Sequence, residues 1–341
     1  MTSPRIVFAH SGSAASTAAI ATLAAGHGAE VVTLTLDVGQ DQELEGVRDR
    51  ALHAGASRAH VVDAKEEFAY EFVLPALQAG ALLIGHEPMA FPLAQSLVGR
   101  KLVEIAQIEE ADAVAHHGGD AARVRIENSV RALNPGLRVV AHGDPGWTAG
   151  VRTNLWGRSA GLADVPGVSP DGWYSWTKSP SAAPDAGADV EIAFERGMPT
   201  AVNGVPLGLT ELIESLSIIG GQHGVGRFPA THGDVPPGTL KRVHEAPAAT
   251  VLHAAYEALE SRIDPGDLRR LKQEMRGEYS ALAARGEWFT ELREALDAFS
   301  AVVQRQVTGT VRVRLLKGEY TVTGVVIPGS QIPESRAMVQ P

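Results

Sequence analysis

The stretch Ser11-Gly12-Ser13-Ala14-Ala15-Ser16-Thr17 carries the residue types that most directly suggest chemistry. Four hydroxyl side chains follow the compact apolar run Arg5–Ala9 (RIVFA) and lead into an Ala-rich helical pattern reaching about Ala25. A small-residue turn between a buried strand and a helix presents backbone N–H groups at the positive end of that helix, which suits an anion. The chain also holds 12 histidines, and an imidazole can act as a general acid or base or ligate a transition metal. No H-x-H or H-E-x-x-H spacing occurs, so a metal centre would have to be assembled from separate segments. Cysteine is absent, which excludes disulfides, thiolate zinc sites, iron–sulfur clusters and a thiol nucleophile together.

Those residues need a scaffold, and the first part of the chain describes one. Apolar runs at Arg5–Ala9, Glu30–Leu36, His60–Asp63, Ala111–His116 and Leu137–Ala141 read as strands. Helical patterns stand between them at Asp41–Ala54, from Glu66, at Leu93–Ile108 and at Arg123–Leu133. Such alternation implies βαβ units and a parallel sheet, with ligands at its carboxyl edge. From His142 to Pro184 the chain turns rich in Gly, Pro, Ser and Trp and loses its periodicity, as expected near a domain boundary. An α+β pattern follows, with a helix over Leu209–Gln222, helical stretches to about Gln306 and an interruption near Asp264-Pro265-Gly266. A last hairpin, Gly309–Leu316 and Glu319–Val326, turns at Lys317-Gly318. The expected organisation is an α/β nucleotide-binding domain over 1–145, an α+β domain over 146–330 and a tail over 331–341.

The 30 Lys and Arg against 40 Asp and Glu leave a net charge of −10, which argues against a nucleic-acid binder. No apolar run approaches the roughly 20 residues needed to cross a bilayer, and the start lacks a signal-peptide pattern. A soluble, cytoplasmic protein without membrane or nucleic-acid partners is expected.

Several segments, in order, resemble argininosuccinate synthase: RIVFAHSG, Asp37-Val38-Gly39-Gln40, ALHAGASRAHVVDAKEEFAYEFVLPAL, ADAVAH, NLWGRS, GGQHGVGR, HEAPAATVLHAA and VTGTVRVRLLKG. The resemblance implies an N-terminal domain of the ATP-pyrophosphatase (adenine nucleotide alpha hydrolase-like) type with a C-terminal synthetase domain. It also implies use of ATP and magnesium, with adenylation of a ureido oxygen followed by displacement of AMP by an amine. Ala9, His10, Ser11, Gly12, Ser16, Thr17 and Leu36 then match the nucleotide-binding positions.

The sequence departs from the family pattern at the positions that handle substrates. Ser13 stands for a Gly of the phosphate loop and Ala15 for its Asp, which weighs against magnesium and ATP activation. Glu87 stands for a citrulline-contacting Tyr, His117 for a Gly of the nucleotide and aspartate loop, and His232 and His244 for a citrulline-contacting Glu and Tyr. Arg125 and Ser159 match retained citrulline contacts. Glu87, His117, Arg125, Ser159, His232 and His244 are therefore the candidate catalytic and substrate residues. The expected substrate is a small, anionic, amino-acid-like molecule, its carboxylate held between Arg125 and Ser159. A block between Trp147 and Asn154 and the family's C-terminal arm have no counterpart, so a homodimer or other small homo-oligomer is expected. The leading expectation is a neofunctionalised ligase of specialised biosynthesis. A non-ATP enzyme whose His-rich pocket could hold a metal ion, and an inactive binding protein, are the alternatives.

Overall fold

The computed structural model describes residues 3–40, 44–82, 88–117, 119–142, 150–162, 170–228 and 241–329. The chain divides into two compact units, and neither is a single run of sequence. The first comprises Met1–Phe68, Phe91–Thr148 and Ala281–Arg293; the second comprises Ala69–Ala90, Ala149–Ser280 and Glu294–Pro341.

The first unit is built on β1 (Arg5–Ala9), β2 (Glu30–Asp37), β3 (Arg58–Asp63), β4 (Ala113–His116) and β5 (Arg138–Ala141). All four pairings are parallel, and the order is β3-β2-β1-β4-β5. The order reverses direction between β1 and β4, and in open parallel sheets ligands bind beyond the carboxyl ends of the strands at that point. Helices α1 (Ala14–His27) and α2 (Leu44–His53) follow β1 and β2. Ile6, Phe8, Ile20, Leu23 and Val31 are buried with Ala19, Ala51, Ala113 and Ala115 in one cluster, so small helix residues bring α1 and α2 close to the sheet. Beyond β3 the chain runs through α3 (Lys65–Phe68) and then into the second unit's first segment, a π turn (Ala69–Val73) followed by α4 (Leu74–Gln78). Pro75 has no N–H to donate, and the wider turn precedes it.

Helix α5 (Ala90–Ile108) starts earlier than the pattern predicts, because Pro92 falls in its first turn, where a missing N–H costs nothing. Helix α6 (Asp120–Leu133) follows β4.

In the second unit the stretch that reads as aperiodic contains two strands, β6 (Gly150–Asn154) and β7 (Gly157–Leu162). Then come β8 (Ala188–Glu195), β9 (Met198–Val202), β10 (Val205–Pro206), α7 (Leu209–Gln222), β11 (Arg227–Phe228), β12 (Lys241–Glu245) and α8 (Pro247–Ile263). Helices α9 (Gly266–Arg285) and α10 (Glu291–Gln304) and strands β13 (Gly309–Leu316) and β14 (Glu319–Val326) complete the described chain. One sheet has the order β10-β9-β8-β13-β14 and the other β11-β12-β7-β6. The turn at Lys317 (φ 48°) and Gly318 (φ 91°) puts both central residues at positive φ, as a tight hairpin requires. A second helix break, after Arg285, escapes the pattern analysis. Gly286 sits there at φ +74°, and a Cβ on it would lie 2.3 Å from the Arg125 Cα, so only glycine permits that approach.

Candidate functional site

The loop after β1 is held by its own hydroxyl groups. Gly12 takes φ +76°, Ser13 caps α1 by accepting the Ser16 N–H at 3.1 Å, and the Thr17 hydroxyl donates to the Ser13 carbonyl at 2.9 Å. The Ser11 hydroxyl donates to Ser16 Oγ at 3.0 Å. His10, next to Ala9 at the end of β1, is buried, and its ring meets one residue of α1 and one of β2. Its Nε2 lies 3.1 Å from Thr17 Oγ1 and its Nδ1 3.4 Å from Thr35 Oγ1. The Thr17 and Thr35 hydroxyls spend their protons on the Ser13 and His10 carbonyls, so the single N–H of a neutral ring can serve only one of the two oxygens. Burial, and then the positive charge of Arg50, lower the His10 pKa to about 4, so the ring is neutral at pH 7. Ala15 is exposed and offers a methyl group where the family pattern has a carboxylate.

Beside this loop, Leu36 is buried near the end of β2, and its carbonyl accepts from the Gln40 side chain. Gln40 Oε1 in turn accepts the Val38 N–H at 2.8 Å, and Asp37 accepts the Gly39 N–H at 3.0 Å. Asp37 also pairs with Lys65 at 2.8 Å, and that contact raises the lysine's pKa despite desolvation. The Asp37–Gln40 turn is thus folded by its own side chains.

At the carboxyl end of β4, His116 is buried and its carbonyl accepts the His142 N–H at 3.0 Å. Burial, then the charges of Arg123 and His117, lower the His116 pKa to about 4. The rings of His117 and His142 lie 6.0 Å apart, and burial first and then His142 lower the His117 pKa. Arg125, on α6, donates from Nε to the Ala284 carbonyl at 2.6 Å and from Nη1 to Gln95 Oε1 at 2.9 Å. The guanidinium therefore ties three segments of the first unit together. Gln95 carries no signal in the sequence that would single it out.

In the second unit the four-stranded sheet has two unlike faces. Glu245, fully buried, accepts the N–H groups of Ser175, Trp176 and Thr177 at 3.1, 2.9 and 2.9 Å and the Thr177 hydroxyl at 2.8 Å. Arg158, its register partner, forms a salt bridge to it and donates to the Trp173 carbonyl at 2.9 Å. On the other face Ser159 stands opposite His244, as the β7–β12 register dictates. Glu87 and His232 lie outside the described residues. Among the described residues no group of three or more His, Asp or Glu is arranged to hold a metal ion, and no helix is long and apolar enough to cross a membrane.

With this geometry, comparisons with known proteins are decisive at the family level. Residues 5–156 match the arginosuccinate synthase N-terminal HUP domain, and residues 150–332 match the arginosuccinate synthase C-terminal domain. The chain belongs to the argininosuccinate synthase family. It is 40% identical to the argininosuccinate synthase of Symbiobacterium thermophilum, over 96% of this chain and 89% of that one. The Brevibacillus brevis argininosuccinate synthase is 38% identical over 95% of this chain and 84% of its own. That of Geobacillus kaustophilus is 36% identical over 99% and 90%. The ATP-pyrophosphatase-type domain with its parallel sheet, expected from the sequence resemblance, is the fold found. Family membership makes the chain a ligase-like, nucleotide-binding protein of amino-acid metabolism.

Proposed function

We propose that this argininosuccinate synthase family member is an adenylate-forming carbon–nitrogen ligase whose amino-acid pockets take partners other than citrulline and aspartate, as in specialised biosynthesis. The observation that carries this reading is the loop at the sheet's switch point. Gly12 at positive φ, the Ser13 cap and the hydroxyls of Ser11, Ser16 and Thr17 keep an anion-binding helix end where ATP phosphates fit. The donor set does not fit magnesium equally well, since Ala15 supplies no carboxylate.

In this mechanism an oxygen of the first substrate attacks the α-phosphorus of ATP, and pyrophosphate leaves. An amine then attacks the activated carbon, and AMP departs with the oxygen. The loop N–H groups and hydroxyls hold the phosphates, and neutral His10 fixes the Thr17 hydroxyl against the loop. Glu87, His117, His232 and His244, in place of a Tyr, a Gly, a Glu and a Tyr of the family pattern, alter the groups that meet the amino acids. A buried polar substrate group left without its partner costs about 1–3 kcal/mol each time, so several such changes exclude the parent substrates.

The test combines ATP binding with a substrate panel. Wild-type protein is expected to bind ATP and to release pyrophosphate with an amino-acid substrate outside the citrulline–aspartate pair. Absence of ATP binding would overturn the ligase reading.

A further inference from the structure

The loop held by Glu245 turns its backbone inward, and the side chains on its outer side line a cleft. Glu245 accepts the N–H groups of Ser175, Trp176 and Thr177, and the Lys178 N–H donates to the Gly221 carbonyl at 2.9 Å. A Cβ on Gly221 would collide with the Trp176 carbonyl, so α7 and the loop meet backbone to backbone. The loop is thereby clamped between β12 and α7, and its outer side chains start from fixed backbone positions.

The loop, α7 and Arg227 enclose a cleft of about 560 Å³, a size suited to a small molecule, and every lining residue belongs to the second unit. Some of the lining is already engaged. The Arg227 guanidinium stacks on the Tyr174 ring at 3.7 Å and donates from Nε to the Thr177 hydroxyl at 3.2 Å, so these three form the wall. The Ser179 hydroxyl lies 3.0 Å from that of Ser181. Trp176, Lys178 and Ile218 differ. Among the described residues their side chains make no hydrogen bond, ion pair or ring contact. Lys178 is exposed, Trp176 half-buried and Ile218 63% exposed. No lining residue is Asp or Glu. The loop packs on the Glu245 face of the four-stranded sheet, whereas Ser159 and His244 stand on the other face.

We infer that this cleft binds a small anion carried on a flat aromatic ring, with Lys178 on the anionic group and the ring against Trp176 and Ile218. An indole and a branched aliphatic chain offer apolar surface to a ring, and the indole favours offset or edge-on contact with it. The ammonium beside them brings three donors and a charge that no acid of the lining cancels. Ser175 and Gln222, both exposed in the lining, add neutral hydrogen-bonding groups. The ligand is separate from any amino acid that Ser159 and His244 meet, because those residues stand on the opposite face of the sheet. The inference therefore goes beyond the ligase reading and adds a second ligand to it.

The experiment uses the full chain and two probes, benzoate and phenyl phosphate, which share the ring and differ in the anion. Saturation-transfer NMR measures their binding with saturating pyrophosphate present to occupy the loop after β1. Wild-type protein is expected to bind at least one probe, and the tighter one identifies the anion as carboxylate or phosphate. Acetate and benzyl alcohol, which carry only the anion or only the ring, should bind at least tenfold more weakly. Lys178→Gln should weaken binding of the better probe about tenfold, the loss expected when a charge-assisted hydrogen bond is removed, and Lys178→Arg should retain it. Trp176→Ala should weaken it about fivefold or more. Circular dichroism checks that each variant is folded, with Trp176→Leu as the replacement if the alanine variant is not. No binding of either probe by wild type, or binding by Lys178→Gln equal to wild type, would overturn the proposal. Benzyl alcohol binding as tightly as the anions would overturn it too.

Discussion

The loop from Ser11 to Thr17 and the segment from Trp173 to Thr177 both present consecutive backbone N–H groups, and they satisfy them in opposite ways. In the second segment Glu245 takes three N–H groups and a hydroxyl, and Arg158 neutralises the carboxylate. Every partner is internal, so that region is a structural joint. Around the first loop the partners are short hydroxyl groups, and Ser13 caps only part of the α1 terminus. Helix N–H groups there stay turned to the carboxyl edge of a parallel sheet, which is where an anion binds. A buried carboxylate closes one nest, and the removal of a carboxylate at Ala15 leaves the other to hydroxyls.

The largest effect expected from breaking this contrast is at the joint. Glu245→Ala leaves Arg158 buried without its counter-charge and strips four donors of their acceptor, so unfolding free energy should fall by about 3–5 kcal/mol. Chemical denaturation measures it; a loss below about 1 kcal/mol would show that the segment is held by other contacts.

Arg125→Ala comes next. Loss of the donors to Ala284 and Gln95 should cost about 2–3 kcal/mol and lower the melting temperature visibly. A melting temperature equal to wild type would instead return Arg125 to the role of a substrate anchor.

Acid should destabilise the folded chain through its histidines. The pKa values of His10 and His116 are about 4 and that of His253 about 3, against an ordinary 6.5, chiefly because burial disfavours the imidazolium. The unfolded chain therefore binds more protons below pH 6.5. The stabilisation is complete above that pH and is lost progressively as pH falls from 6.5 towards 4. Stability measured from pH 7.5 to 4.5 should decline, and His10→Gln should flatten the decline. An unchanged slope in that variant would contradict the assignment to His10.

The smallest effect belongs to the cap. Ser13→Ala should cost about 1 kcal/mol of stability and weaken ATP binding only modestly, since the hydroxyl serves α1 rather than the ligand. A collapse of ATP binding at unchanged stability would place Ser13 in direct contact with phosphate.

Much of this architecture is legible in the sequence, for physical reasons. The five parallel strands announce themselves as apolar runs separated by helical patterns, and Lys317-Gly318 marks its hairpin through the φ values it must adopt. What escapes depends on distant partners. Strands β6 and β7 are Gly-rich and short, and their pairing with each other and with β12 makes them strands. The break at Gly286 reflects the close approach of Arg125, more than 150 residues away in sequence by the spacing of the Arg125–Ala284 contact (159 residues). Reading Gly150–Asn154 as a strand would have set Arg152 opposite Ser159 in register. Likewise Glu245 reads as one acid among 40, because its importance lies in the N–H groups that surround it.

The account's central claim is that the nucleotide loop is kept while the amino-acid pockets are changed. Its most direct test is one incubation of the purified protein with ATP, magnesium, citrulline and aspartate, followed for argininosuccinate and pyrophosphate, beside a measurement of ATP affinity. The account predicts that ATP binds and that argininosuccinate does not form. Formation of argininosuccinate at a rate comparable to that of a family relative such as the Symbiobacterium thermophilum enzyme would contradict it.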